Sequence, residues 1–210
     1  MRDPDVSPLG RNIVRESIQL IDEIGFESFT FKKLAKKINS TEASIYRYFE
    51  NKHKLLIYLL SWYWNWVEYR LVFATSNIAS AEEKLRIAIG ILSSQVSEED
   101  PDLSHINEIA LHRIVIAESA KAYLTKEVDK DNKEGYFSGF KSLCMRIVVF
   151  VKEINPSYAY PASLISTAIE AAHHQKYFSQ HLPSLSDTRI DNDGDITDFL
   201  SGLVFKTLSK

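Results

Sequence analysis

The residues whose chemistry is easiest to place lie between positions 28 and 56. Seven bases (Lys32, Lys33, Lys36, Lys37, Arg47, Lys52, Lys54) stand there against two acids (Glu42, Glu50), so the stretch carries +5 in a chain whose net charge is −3. A small basic segment on an acidic body suits a polyanion-binding head attached to a body with another task. A charge run alone fits a solvated helix face better, so spacing has to decide. Thr30 is placed to cap a helix in which Phe31, Leu34, Ala35 and Ile38 recur at helical spacing and turn inward, leaving Lys32, Lys33, Lys36 and Lys37 outside. Asn39 tolerates a left-handed turn, Thr41 caps a second short helix from Glu42 to Phe49, and Asn51 caps a third. With Ile45 set inward, a step of about 100° per residue brings Tyr48 and Phe49 near it and turns Ala43 and Arg47 outward, flanked by Ser44 and Tyr46.

That outer surface is small enough to let a helix approach base edges in a major groove, with Arg47 suited to guanine and Ala43 to a thymine methyl. Phosphate contacts are expected from the amide end of the next helix with Lys52, from the Tyr46 hydroxyl, and from Thr30 with Lys32 and Lys33. Two short helices around a short polar turn have helix-turn-helix spacing. Double-stranded DNA is the partner this implies. Glu42 has two readings: a first-turn carboxylate favourable to the helix dipole, or an acceptor for cytosine N4.

Other chemistries find less support. The glycines never take G-x-G or P-loop spacing, and there is no G-x-S-x-G, H-E-x-x-H or paired-cysteine motif, so no catalysis, cofactor or metal is expected, although a site assembled from distant residues leaves no such signature. Cys144 stands alone and excludes an internal disulfide. Residues 1–10 lack the apolar run of a signal peptide, so a cytoplasmic location is expected. Glu170, His173, His174 and His181 suggest a metal site, but the histidines fall on different sides of their helix and read better as surface or interface groups. Asp191, Asp193 and Asp195 resemble a calcium loop. Gly194 falls in the fourth place instead of the sixth, with no Glu at the twelfth, so an acidic helix start is preferred.

The elements that must position these residues read as all-α. Helical periodicity covers 11–24, 52–73, 80–96, 104–124, 136–154, 161–182 and 195–208, and 125–135 reads as a helix extension or a mobile loop. From Leu55 to Phe73, 15 of 19 residues are apolar. Ser61, Asn65 and Glu68 form a polar stripe there and Arg70 adds a charge, so this is a buried helix of a bundle and not a membrane span. The expected organisation is a disordered tail (1–10), a helix-turn-helix DNA-binding domain (11–56), and a helical domain (57–210) that the family resemblance given next implies to be for ligand binding and dimerisation.

From Ile13 to Leu60 the sequence resembles the tetracycline-repressor-like (TetR) transcriptional regulators. The resemblance rests on Gly25-Phe26, Thr30, Leu34-Ala35, Thr41, the block Ile45-Tyr46-Arg47-Tyr48-Phe49, and Asn51-Lys52 before Leu55. It departs at Asn39-Ser40, where the family usually has Gly-Val, and at Glu42. The resemblance implies that Thr41, Ser44, Tyr46, Tyr48 and Lys52 lie at the DNA surface, and that the C-terminal helices form a ligand pocket and a dimer interface. Aromatics at helical spacing usually pack a bundle. Given the resemblance, the candidates for a pocket holding a small apolar or aromatic ligand are Trp62, Tyr63, Trp66, Tyr69, Phe73, His105, His112, Tyr123, Phe137 and Met145. The homodimer seam falls to Leu164, Ile165, Ala168, Ile169 and Ala172 with Phe199, Leu200, Leu203 and Val204. The expected function is sequence-specific DNA binding by a ligand-released homodimeric repressor. The alternative is an all-helical small-molecule binder or adaptor whose helix-turn-helix has lost DNA affinity.

Overall fold

A computed structural model describes residues 2–94, 106–189 and 193–209. The described residues contain no β-strand. The helices are α1 (Pro8–Ile24), α2 (Phe31–Lys37), α3 (Glu42–Tyr46), α4 (Lys52–Thr75), α5 (Ala81–Ser93), α6 (Glu108–Glu118), α7 (Ala120–Tyr123), α8 (Val128–Lys133), α9 (Ser138–Ile154), α10 (Pro161–His181) and α11 (Asp193–Leu208). No helix among the described residues is long and apolar enough to cross a membrane.

The chain divides into two compact units, one of Met1–Tyr63 with Val96–Tyr136, the other of Trp64–Gln95 with Phe137–Lys210. In the first, α1 packs on α2 and α6, and α2 on α3. Ile13, Ile18, Phe29, Leu34, Ile45, Leu55 and Leu59 fill its core. Charged clusters lie around that core. Arg113 donates through Nε to Asp22 at 2.8 Å, Lys121 pairs with Glu27 and Glu118 at 2.6 and 2.7 Å, and the buried Lys54 joins Asp131 and, at 3.0 Å, Glu134. In the second unit α5, α9, α10 and α11 pack on one another. The polar stripe of α4 meets α9 there. A Cβ added at Gly139 would lie 2.9 Å from Asn65 Cγ, and Glu68 accepts from Ser142 at 2.7 Å and from Arg146 at 2.9 Å. A glycine allows this close approach, and Glu68 of the stripe is satisfied by a neighbouring helix.

Several boundaries differ from expectation. Residues 2–7 are not a disordered tail: Pro4–Val6 form a 3-10 turn, Ser7 caps α1 by accepting from the Gly10 amide, and Pro8 sits in the first turn, so α1 starts before Arg11. Helix α3 stops at Tyr46, short of Phe49. The helix expected over 104–124 begins at Glu108 under an Asn107 cap and is interrupted at Ser119. Within 125–135 a short helix forms, and its Asp131 is fully buried. The last helix starts at Asp193, and Asp191, grouped with Asp193 and Asp195 as its acidic start, lies outside the described residues.

Candidate nucleic-acid interface

The helix-turn-helix is built from local hydrogen bonds. Thr30 Oγ1 accepts from the Lys33 amide at 3.2 Å, and Thr41 Oγ1 accepts from the Ser44 amide at 3.2 Å, so each short helix has its own N-cap. Between them Asn39 takes φ 51°, the left-handed region in which asparagine is tolerated. The Ser40 amide returns to the Ala35 carbonyl at 2.9 Å. Ile45, Tyr48 and Phe49 are buried and orient α3, which leaves Thr41, Glu42, Ala43, Tyr46 and Arg47 exposed and Ser44 half-buried. The Tyr46 ring is held edge-on by Phe31, with centroids 5.1 Å apart. An exposed hydroxyl and a bare alanine therefore share the face of a helix only five residues long, with the Arg47 guanidinium at its C-cap.

Two residues assigned to the DNA surface have other environments. Tyr48 is buried, and its hydroxyl meets Ser7 Oγ at 2.8 Å. Lys52 folds back so that its ammonium donates to the carbonyls of Phe26 at 3.0 Å and Glu27 at 3.2 Å, and lies 4.8 Å from the Phe26 ring. It ties α4 to the loop after α1. The start of α4 remains a positive helix end, capped by Asn51 Oδ1 on the Lys54 amide at 2.9 Å. The local +5 is also smaller than it looks. Lys37 pairs with Glu23 at 3.1 Å, and Lys54 is neutralised within its buried cluster. Lys32, Lys33, Lys36 and Arg47 are exposed, with Lys33 donating to the Ser28 carbonyl at 2.7 Å.

The candidate pocket residues separate. In the first unit Tyr63 and His112 are buried, with the hydroxyl 2.7 Å from Nδ1; Trp62 and Tyr123 are half-buried. In the second, Trp66 and Phe137 are buried and the Arg70 guanidinium lies 4.8 Å from the Trp66 ring. Tyr69, Phe73 and Met145 are exposed on that unit. His105 lies outside the described residues. Spacing overlooked Trp64, which is buried between Phe140 at 4.7 Å and His173 at 5.5 Å. His173 therefore belongs to an aromatic stack, whereas His174 stacks on Phe178, and the two histidines diverge. Glu170 is half-buried and burial raises its pKa, opposed by the neighbouring His174. Burial, with the Glu170 charge, pushes the Cys144 thiol up to about 11.

The proposed seam separates too. Ile165, Ala168, Ile169, Ala172, Leu200 and Val204 are buried within the second unit of a single chain. Their apolar spacing is that of a core packed by α9, α10, α11 and α5. Leu164 is half-buried, and Phe199 and Leu203 are 48% and 39% exposed.

The model of the bacterial regulatory proteins of the tetR family matches residues 13–59, the stretch that contains α2, its turn and α3. Over this stretch the chain matches the tetR family. It is similar to the probable HTH-type transcriptional regulator YttP of Bacillus subtilis (strain 168), 27% identical over 118 residues. That match takes in 55% of this chain and spans 57% of the relative's length. Two solved structures share the fold. AibR in complex with isovaleryl coenzyme A and operator DNA is 18% identical, with a TM-score of 0.63 and coverage of 93% of this chain and 98% of its own. FadR from Bacillus subtilis in complex with stearoyl-CoA is 17% identical, with a TM-score of 0.64 and coverage of 94% and 97%.

Proposed function

We propose that the protein is a sequence-specific DNA-binding transcriptional regulator that acts as a homodimeric repressor and is released by a small apolar ligand. The observation that carries this reading is the face of α3. Ala43 and Tyr46 are exposed on a short helix and Arg47 at its C-cap, with Ile45 and the following Tyr48 and Phe49 anchoring the inner side, and the tetR match covers it. Arg47 reads a guanine, Ala43 clears space for a base, and Tyr46, Lys32, Thr30 and the α4 amide end fix the register on phosphates. Glu42 serves the dipole of α3. The dimer forms through α10 and α11, with Phe199 and Leu203 at its seam. The ligand is an apolar acyl group presented as a coenzyme A thioester, the class held in the AibR and FadR complexes.

Enrichment of duplexes from a random pool tests the function directly. A preferred sequence with two half-sites is expected. Failure to enrich any duplex at low salt would return the protein to the adaptor reading.

A further inference from the structure

Residues 2–7 do more than start α1. The Arg2 amide donates to the Arg47 carbonyl at 3.0 Å, and Arg47 is the residue that closes α3. Carbonyls in the last turn of a helix lack intrahelical partners, so this bond satisfies one of them and places Arg2 at the Arg47 end of the helix. The segment is anchored along its length. Ser7 Oγ meets the Tyr48 hydroxyl at 2.8 Å, the Tyr58 hydroxyl donates to Asp5 Oδ2 at 3.0 Å, and Arg11 donates to the Asp5 carbonyl at 2.7 Å. Pro4 is buried against α1 at Gly10, where an added Cβ would lie 2.6 Å from the Pro4 Cα and 2.8 Å from its carbonyl carbon.

Charge along this segment is sorted by position. The Asp3 carboxylate accepts from the Asp5 amide at 2.9 Å and the Asp5 carboxylate is held by Tyr58. Both acids are thus committed to folding the 3-10 turn onto the helices behind it. Arg2 is exposed beside the exposed Arg47. A guanidinium held next to a base-reading helix is suited to phosphate oxygens and to groove acceptors alike, and a seated backbone lowers the entropy lost on contact.

We infer that Arg2 is a DNA-contacting residue, held by the folded segment 2–7 at the Arg47 end of α3, where its guanidinium meets the duplex flanking the major-groove site. This rests on the DNA-binding reading of α3. It adds a DNA contact outside the helix-turn-helix itself.

The test uses the full chain and a 30-base-pair duplex enriched by it from a random pool, titrated by fluorescence anisotropy at several salt concentrations. Arg2→Ala keeps the backbone amide and removes an exposed side chain, so the fold should be retained by circular dichroism. Loss of one phosphate contact should weaken binding about fivefold at 0.15 M salt and lower the salt slope by about 0.9. Changing flanking A·T pairs to G·C separates the two modes of contact: a phosphate contact keeps the Arg2→Ala effect, whereas a minor-groove base contact loses it. Gly10→Ala should displace Pro4 while favouring α1, reproduce the loss, and leave Arg2→Ala with nothing further to remove. Should Gly10→Ala unfold the head, Arg2→Ala alone decides. Equal affinity and salt slope for wild type and Arg2→Ala would overturn the inference and leave the DNA-binding reading standing. Absence of any enriched duplex would overturn both.

Discussion

Lys54 and Asp131, 77 positions apart, form a buried ion pair that joins the first turn of α4 to α8. His53 adds a contact to the second carboxylate oxygen at 3.2 Å. Burial disfavours both charges, yet the hydrogen bonds outweigh it, so Asp131 is held below the usual carboxylate range and Lys54 above the usual amine range. Lys54 lies two residues past the start of α4, whose amide end is a proposed phosphate contact.

Removing one partner should therefore cost far more than removing both. Lys54→Met leaves a buried carboxylate and is expected to destabilise by about 3–5 kcal/mol, whereas the double variant Lys54→Met/Asp131→Leu should recover most of that loss. Urea denaturation at neutral pH measures both. The signs of the pH dependence follow from the shifts. Stability from Asp131 is present above the unfolded carboxylate pKa of about 4 and is lost as pH falls through the depressed folded value. Stability from Lys54 is present below the unfolded amine value of about 10.4 and is lost as pH rises through the elevated one. Between those limits the wild-type advantage over Lys54→Met should be flat, and it should shrink on acidification. A constant advantage down to pH 2 would contradict the pairing.

On the DNA face, Arg47→Ala should relax preference at one base pair at a cost of about 1–3 kcal/mol. Lys32→Ala should weaken all duplexes alike and lower the salt slope by about 1. Lys52→Ala is expected to act through the loop after α1, since its ammonium holds the Phe26 and Glu27 carbonyls. It should lower thermal stability along with affinity, which Lys32→Ala should not. Parallel melting and binding curves separate these outcomes.

What was legible in the sequence was local. Thr30 and Thr41 sit three residues from the amides they cap, and Phe31, Leu34 and Ala35 repeat at helical spacing, so α2 and α3 could be placed from periodicity alone. Residues 2–7 escaped because their partners are remote: Ser7 lies 41 positions from Tyr48 and Asp5 lies 53 from Tyr58. Asp131 escaped for the same reason, since nothing in an alternation of acids and lysines shows which carboxylate a distant lysine will bury. Periodicity also marked α10 and α11 as apolar without showing what covers them. Ile165, Ala168 and Val204 are covered within one chain.

That distinction changes how dimerisation should be tested. Ala168 is 4% exposed, so Ala168→Glu buries a charge and should unfold the second unit. Phe199→Glu and Leu203→Glu place the charge on an exposed surface and should give folded monomers by sedimentation, with loss of binding to a two-half-site duplex. Folded dimers at micromolar concentration in both variants would remove α11 from the seam.

Ligand release has a thermodynamic signature that can be read without knowing the operator's genes. A coenzyme A thioester that prefers the conformer unable to bind DNA must weaken DNA binding by its differential affinity, about 1–3 kcal/mol, and DNA must weaken the thioester by the same factor. Trp64 gives an internal probe, because it is buried against Phe140 and His173 in the second unit and its emission reports the packing there. Titration with isovaleryl coenzyme A and with stearoyl coenzyme A should change tryptophan fluorescence, and enriched duplex should move the midpoint to higher ligand concentration. Coenzyme A alone separates headgroup binding from recognition of the acyl chain: if the acyl group carries the affinity, the free thiol should bind much more weakly. Titrations that saturate at the same concentration with and without duplex would exclude these thioesters as releasing ligands while leaving DNA recognition by α3 intact.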